Sequence, residues 1–377
     1  MLEQTTDILF ALLRSALWGR DEAVKPMTDD VANNVLVEAA RQAVLGMAAQ
    51  TVLDRGLLSQ KMSVVATQLV DKIRSRNEEV SLGIAHLSQF MKKRELPFVV
   101  VKGQVVAQGY SSPLLRQSGD VDFYCSPAVF PLAVAAFEKI LQRPLVPDES
   151  EKHVEFVIEG VIYELHSSLS EFAYSGNQAY FNQIIEEDVA RGGESVELTY
   201  RLPKTGEERT LIVPTLSVTM NALYLFVHIF YHLVTSGVGL RQMADWTMFL
   251  HRHQGAIDRQ QLETWLQGLG LRKAYTAMGS VLVDVMGLPE EEFPLSLTPQ
   301  DHRRGRRVLR NILRMGNFGK FARRTKKTGL LHSLETGWIS LRQCALFFPL
   351  APKEISCRFP KLTLWFFRRR TGNTQKE

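Results

Sequence analysis

The sequence predicts an α/β protein of the α+β kind, with a small mixed sheet between a helical N-terminal region and a helical C-terminal domain. Three observations lead there. Over residues 5–95 apolar positions recur at three and four, as in Ile8, Leu9, Leu12, Leu13 and Leu17, the spacing that lines one helix face. Between 96 and 213 the pattern changes to short β-branched and aromatic runs at 98–101, 119–125 and 161–169, bounded by glycine and proline as strands are. Helical spacing returns over 216–286, and Gly287-Leu288-Pro289 closes it. At 377 residues the chain exceeds the size at which one core stops growing. It therefore divides into regions at 1–95, 96–213, 214–295 and 296–377.

The first helix is expected in MLEQTTDILFALLRSALWG, which lacks the basic n-region and small-residue cleavage site of a secretory signal. Further helical faces follow in Leu36, Ala39, Ala43 and Met47, and along 64–91. After Pro97 the run Phe98-Val99-Val100-Val101 suits a buried strand, ending in the tight turn Lys102-Gly103. A helix over 105–110 comes next, then a strand over 119–125, and Ser126-Pro127 opens a helix over 128–141 with proline in its first turn. Residues 153–158 and 161–169, joined at Gly160, read as a hairpin. A polar, glycine-rich passage at 191–210 precedes a strand at 211–213, and Pro214 leads into the helical domain. The remainder is expected to be helical to about 324, then irregular and aromatic.

Composition narrows the class. Apolar residues at 45% and charged residues at 23% are ordinary for a packed globular chain. No apolar run approaches the ~20 residues needed to span a bilayer. Cys125, Cys344 and Cys357 lie too far apart for a disulfide framework or zinc-ligand spacing, so the expected compartment is the cytoplasm. Charge is uneven: residues 301–377 hold 19 Lys and Arg against 4 Asp and Glu, whereas 1–300 hold 26 against 36. A basic tail on an acidic body suggests a polyanion partner through 301–370, or else a solvated helical face.

The chemistry concentrates at 102–122 and 164. Residues two apart on a strand share a face, so Asp120 and Asp122 project together while Val121 and Phe123 point into the core. Two carboxylates so placed can hold Mg²⁺, which prefers carboxylate and substrate phosphate oxygens to an all-protein cage. Glu164, a charge inside the apolar run Val161-Ile162-Tyr163-Glu164-Leu165-His166, would be costly to bury unpaired. It is the candidate for the further acid a two-metal site needs.

Lys102-Gly103, Tyr110, Pro113, Arg116, Gly119-Asp120-Val121-Asp122 and Glu164-Leu165-His166 together resemble the bacterial uncharacterised nucleotidyltransferase family of the DNA polymerase β-like superfamily. The second half is similar too, in Val227-His228-Ile229-Phe230-Tyr231-His232 and in 237–246, so that the resemblance spans roughly 5–295. It implies a polymerase-β-type sheet and transfer of a nucleoside monophosphate from an NTP, with ATP the expected donor, to a hydroxyl acceptor, releasing pyrophosphate. It further implies that Asp120, Asp122 and Glu164 ligate two Mg²⁺ ions and act in catalysis, and that Lys102 and Gly103 sit at the triphosphate. There the superfamily commonly has Gly-Ser; here Gln104 follows, and the lysine would serve as a point-charge ligand.

Several side chains flank this set. Arg116, four residues before Asp120, is expected to hold phosphate, the alternative being a salt bridge to Asp120. His228 and His232 are four apart on one helix, but no acid lies between them as a zinc protease requires, so they either line a cleft or sit hydrogen-bonded in a buried helix. Arg241 and Asp245, four apart on the next helix, are expected to line the cleft. His166 shares the face of Glu164 and either orients it, contacts substrate, or caps the strand; His153 lies beside it. Two further readings stay open: a catalytically silent nucleotide- or RNA-binding regulator, and a peripheral membrane accessory protein acting through the basic, aromatic tail. The acceptor is a small molecule, sugar, protein or RNA.

Overall fold

The computed structural model describes residues 2–147, 152–319 and 330–358. Four helices form the N-terminal region: α1 (Leu2–Trp18), α2 (Asp29–Arg41), α3 (Leu45–Asp54) and α4 (Gln60–Lys93). Ser59 starts α4 by accepting the Met62 amide with its hydroxyl, which satisfies one of the unpaired donors of a first helical turn. Midway along α4, Asn77 is fully buried. Its amide donates to the carbonyls of Leu114 (2.8 Å) and Arg116 (2.7 Å), so the helix grips the loop that leads to the acidic strand.

The mixed sheet is built from β1 (Val99–Val101), β2 (Asp120–Tyr124), β3 (His153–Ile158) and β4 (Val161–His166), in the order β1-β2-β4-β3. Strands β2 and β4 run parallel and the other pairs antiparallel. Between them come α5 (Gly103–Ala107), which starts two residues earlier than its apolar pattern predicts, and α6 (Phe130–Leu141). One face of the sheet, carrying Val121, Phe123, Phe156, Tyr163 and Leu165, packs with Phe137 of α6 and with Val80, Ile84 and Leu87 of α4 into a core of its own. The alternation of β2 and β4 then turns Asp120, Asp122, Glu164 and His166 to the other face.

After α7 (Ser175–Ala190), β5 (Glu194–Arg201) and β6 (Glu208–Thr215) pair as a separate two-stranded sheet. The sequence reading placed only 211–213 in a strand. It missed β5 because that strand buries only Leu198 and Tyr200 among charged and polar side chains, a pattern close to that of a solvated loop.

The second half contains α8 (Val218–Thr235), α9 (Leu240–His253), α10 (Arg259–Gly268), α11 (Arg272–Val281), α12 (Pro299–Met315) and α13 (Leu330–Phe347), with one more helical stretch at 352–358. These join α1–α3 in a second, larger core. Helix α8 is long and apolar enough in composition to cross a bilayer, yet 67% of it is buried inside the protein, as befits a central core helix. The expectation of irregular chain beyond 324 is corrected over 330–358: Cys344, Phe347, Leu350, Ala351 and Ile355 are buried in that core, and an apolar stripe with a packing partner forms helix. Trp365, Phe366, Phe367 and Arg368-Arg369-Arg370 lie outside the described residues.

Helix α12 opens on a reciprocal cap. The Thr298 hydroxyl accepts the Asp301 amide, while the Asp301 carboxylate accepts the Thr298 amide (3.1 Å) and the hydroxyls of Thr298 (2.6 Å) and Thr276 (2.9 Å). Asp301→Ala is expected to cost about 2 kcal/mol, a lost cap plus stranded buried donors. Burial alone would raise the pKa of Asp301, but the bonds from Thr298 and Thr276 hold it below its ordinary 3.8. The contribution is therefore complete above about pH 4 and fades as pH falls through the folded value. Urea titrations at neutral pH and at successively lower pH below 3.8 check this: the gap between wild type and variant narrows in acid.

Candidate active site

Strand register assembles the site. In the parallel pair, Asp122 stands directly beside Glu164 and Tyr124 beside His166, while across the antiparallel pair Val101 stands beside Asp122. Lys102, the next residue after Val101, therefore reaches the same place, and its Nζ lies 2.7 Å from Asp122 Oδ1. The turn that sends it there is tight: Lys102 has φ 56° and Gly103 φ 45°. Two successive residues in the left-handed region explain the glycine, and make Lys102 a strained position kept by its surroundings.

Asp122, 4% exposed, is held from two sides. His166 Nε2 lies 2.9 Å from the same Oδ1 and 3.5 Å from Glu164 Oε2. Burial alone would raise the pKa of Asp122, but Lys102 and the bond from His166 outweigh it and hold the carboxylate well below the usual range. Burial likewise works against the Lys102 ammonium, yet Asp122, Tyr224, Asp120 and Glu164 keep its pKa above the ordinary value. His166 is raised against its own burial by hydrogen bonds to Asp122 and Glu164. Asp120 differs: the charge of Asp122, and then burial, push its pKa up to about 6. One ammonium does not balance the negative charge collected on this face.

Lys102, Gly103, Asp120, Asp122 and Glu164 form one wall of a cavity of about 370 Å³, lined also by Gln117 and Ser118, by Leu225, His228 and His232 of α8, and by Arg241 of α9. The volume lies within the range of small-ligand sites. Tyr224, His228 and His232 follow one another at helical spacing, with ring centroids 6.0 Å and 4.4 Å apart. Burial, followed by the charge of Lys102, lowers His228 well below its ordinary pKa and takes His232 to about 4. Both are neutral at pH 7.

The two flanking arginines both border the cavity. Arg116, expected to hold phosphate or else to pair with Asp120, forms its salt bridge with Asp245, Nε to Oδ1 at 2.7 Å and Nη2 to Oδ2 at 2.8 Å. Tyr110 donates to the same Oδ1 at 2.7 Å. All three are buried, so Arg116 and Asp245 border the cavity with their charges turned on each other. Arg241 donates Nη1 to the Gln117 carbonyl (2.7 Å), and its Nε is a buried donor without a partner. Burial and the nearby Arg116 lower its pKa. The backbone there is pressed close to α2: a Cβ at Gly239 would lie 2.5 Å from the Gln42 carbonyl, which also accepts the Arg241 amide.

Gln104, which follows the turn, sends its amide to Asn77 Oδ1 (2.8 Å) and is buried away from the cavity. Tyr224 and Asn317, like Gln117 and Ser118, carry no mark in the sequence analysis above. Tyr224 lies one turn before His228, a spacing that could have revealed it. Asn317, after α12, lines the cavity and accepts from Gln242 (3.1 Å), and no local pattern marks it.

Among the described residues, ligand atoms of Asp122, Glu164 and His166 lie within 4.8 Å of one another, close enough to share a cation. Asp120 stands on the same wall, two residues before Asp122. Carboxylates that outnumber the cations beside them, with an imidazole to orient them, are the donor set of a hard divalent ion. No curated protein matches the chain. A family described as uncharacterised nucleotidyltransferases matches residues 31–287, which include all four strands of the mixed sheet and every wall of the cavity except Asn317. With most of its length matched, and with an acidic, cation-competent cleft inside the matched part, the chain belongs to the uncharacterised nucleotidyltransferase family.

Proposed function

We propose that this chain is a metal-dependent enzyme that moves a nucleoside monophosphate from an NTP, with ATP the expected donor, to a hydroxyl acceptor and releases pyrophosphate. Its mixed sheet would then be of the polymerase-β type and its compartment the cytoplasm, in keeping with three free cysteines. The observation that carries the reading is the register that puts Asp122 beside Glu164, with Asp120 on the same wall and Lys102 against them.

Asp120, Asp122 and Glu164 would hold two Mg²⁺ ions, and the raised pKa of Asp120 marks a carboxylate that a cation would relieve. Once bound, the ions supply Lewis acidity for the attacking oxygen and for the charge gathering on pyrophosphate. Lys102 brings positive charge to the triphosphate end of the wall, and Gly103 lets the chain turn there. His166 fixes the orientation of Asp122 by its bond to Oδ1. His228, held neutral, can accept a hydrogen bond from the acceptor hydroxyl. Arg241 adds a cation on the opposite wall, whereas Arg116 and Asp245 shape the cleft through each other.

Incubating the chain with Mg²⁺ and each α-labelled NTP tests this. Pyrophosphate release and label on an acceptor are expected with at least one NTP, and chelation by EDTA is expected to stop both. Release that persists undiminished in EDTA would refute the metal-dependent reading. Tight NTP binding without release would favour a nucleotide-binding regulator, in which the Lys102 to Asp122 ion pair stays closed.

A further inference from the structure

At 100° per residue, Arg303, Arg307, Arg310 and Arg314 fall within about 60° of one another on α12 and span about 16 Å of its length. The first three are exposed. Among the described residues none of them pairs with a carboxylate: Arg303 is held by Gln300 and Arg310 by the Arg306 carbonyl. The opposite side of the helix, with Val308, Ile312 and Met315, is buried. Helix α13 lies alongside, joined through Asn311 and Gln343 at 2.6 Å. It brings exposed Arg342 close enough for its charge, after burial, to lower the pKa of Arg314. One turn before Arg342, Trp338 is 67% exposed. The C-terminal end of α12 runs directly into Asn317 on the rim of the cleft.

A single file of guanidiniums without carboxylate partners, set on a body whose residues 1–300 hold 26 Lys and Arg against 36 Asp and Glu, has one complement in charge and shape, a chain of phosphates, which guanidinium forks bind better than ammonium does. We infer that α12 seats the phosphodiester backbone of a single-stranded nucleic acid and leads it to the mouth of the cleft, with Trp338 as a ring on which a base stacks. A lipid surface would need apolar side chains beneath the basic ones; α12 turns its own into the core, and at 100° per residue the exposed Leu341 of α13 lies about 100° around that helix from Arg342.

Fluorescence anisotropy of a labelled oligo-uridylate on the full chain, without NTP, tests this independently of any transfer activity. Binding is expected at low salt. The exposed substitutions Arg303→Gln, Arg307→Gln and Arg310→Gln together are expected to weaken it at least tenfold and to flatten the slope of log affinity against log salt by about 2, some 0.7 per lost single-strand contact. Trp338→Ala is expected to weaken binding roughly tenfold with the salt slope unchanged. Equal affinity in wild type and triple variant would overturn the inference. So would a wild type that binds phosphatidylserine vesicles and not the oligonucleotide.

Discussion

Asp122→Asn is expected to reduce pyrophosphate release by at least about 10³-fold while leaving the protein folded. Asp122 is the hub of the wall: one of its oxygens meets both Lys102 (2.7 Å) and His166 (2.9 Å), and its neighbour in the sheet is Glu164. Asparagine keeps the shape but removes the charge that would draw a divalent cation into the cleft, and a factor of 10³ corresponds to about 4 kcal/mol of transition-state stabilisation. The fold survives because Lys102 still faces Asp120 and Glu164, both of which contribute to its raised pKa. A second readout separates an electrostatic role from a merely structural one. The charge of Asp122 is the largest cause of the pKa of about 6 at Asp120, so in the variant Asp120 is expected to titrate at lower pH, nearer the ordinary 3.8. Carboxyl-detected NMR titration reads that shift. Wild-type turnover by a folded Asp122→Asn protein would sink the catalytic assignment.

What the sequence disclosed about this site followed from strand geometry. Asp120 and Asp122 share a face because strand side chains alternate, and Glu164 stood out as a charge within an apolar run; both inferences need only local pattern. The helical regions were equally open to view, since their apolar stripes repeat over many turns. What stayed hidden depended on partners distant in sequence. Arg116 finds Asp245 from 129 residues away, and nothing near either residue announces that their charges cancel. The Gln104 amide goes to Asn77 on α4, so the side chain that follows the Lys102-Gly103 turn is directed inward, an outcome set by packing and not by the turn itself. Strand β5 was obscured by its own polarity, and α13 by an apolar stripe that becomes legible only once α8 is there to receive it.

Asp245→Ala is expected to destabilise the protein by roughly 3–5 kcal/mol, the usual cost of stripping one partner from a buried ion pair. Arg116 and Asp245 are 4% and 5% exposed, and the carboxylate accepts three hydrogen bonds, two from Arg116 and one from Tyr110. Alanine would leave a guanidinium out of water beside Arg241, whose own pKa is already lowered by burial and by Arg116, together with a buried phenol lacking its acceptor. Arg116→Met combined with Asp245→Leu is expected to recover much of the loss, because apolar groups of similar volume carry no desolvation penalty. The pair thereby distinguishes two roles for Arg116. If it acts by bracing the loop between Tyr110 and Asp120, the double variant regains thermal stability and NTP affinity falls only modestly, by what the loop's position contributes. If its guanidinium leaves Asp245 to bind phosphate when NTP enters, the double variant regains stability but loses NTP affinity about tenfold or more, as deletion of a charged hydrogen bond does. The geometry favours the first outcome, since Nε and Nη2 donate to Asp245 at 2.7 and 2.8 Å and Nη1 to Ser118 at 3.1 Å, and moving the guanidinium onto an incoming anion would draw it from a buried carboxylate that Tyr110 also holds. Thermal denaturation and NTP titration of the two variants, measured side by side, decide it.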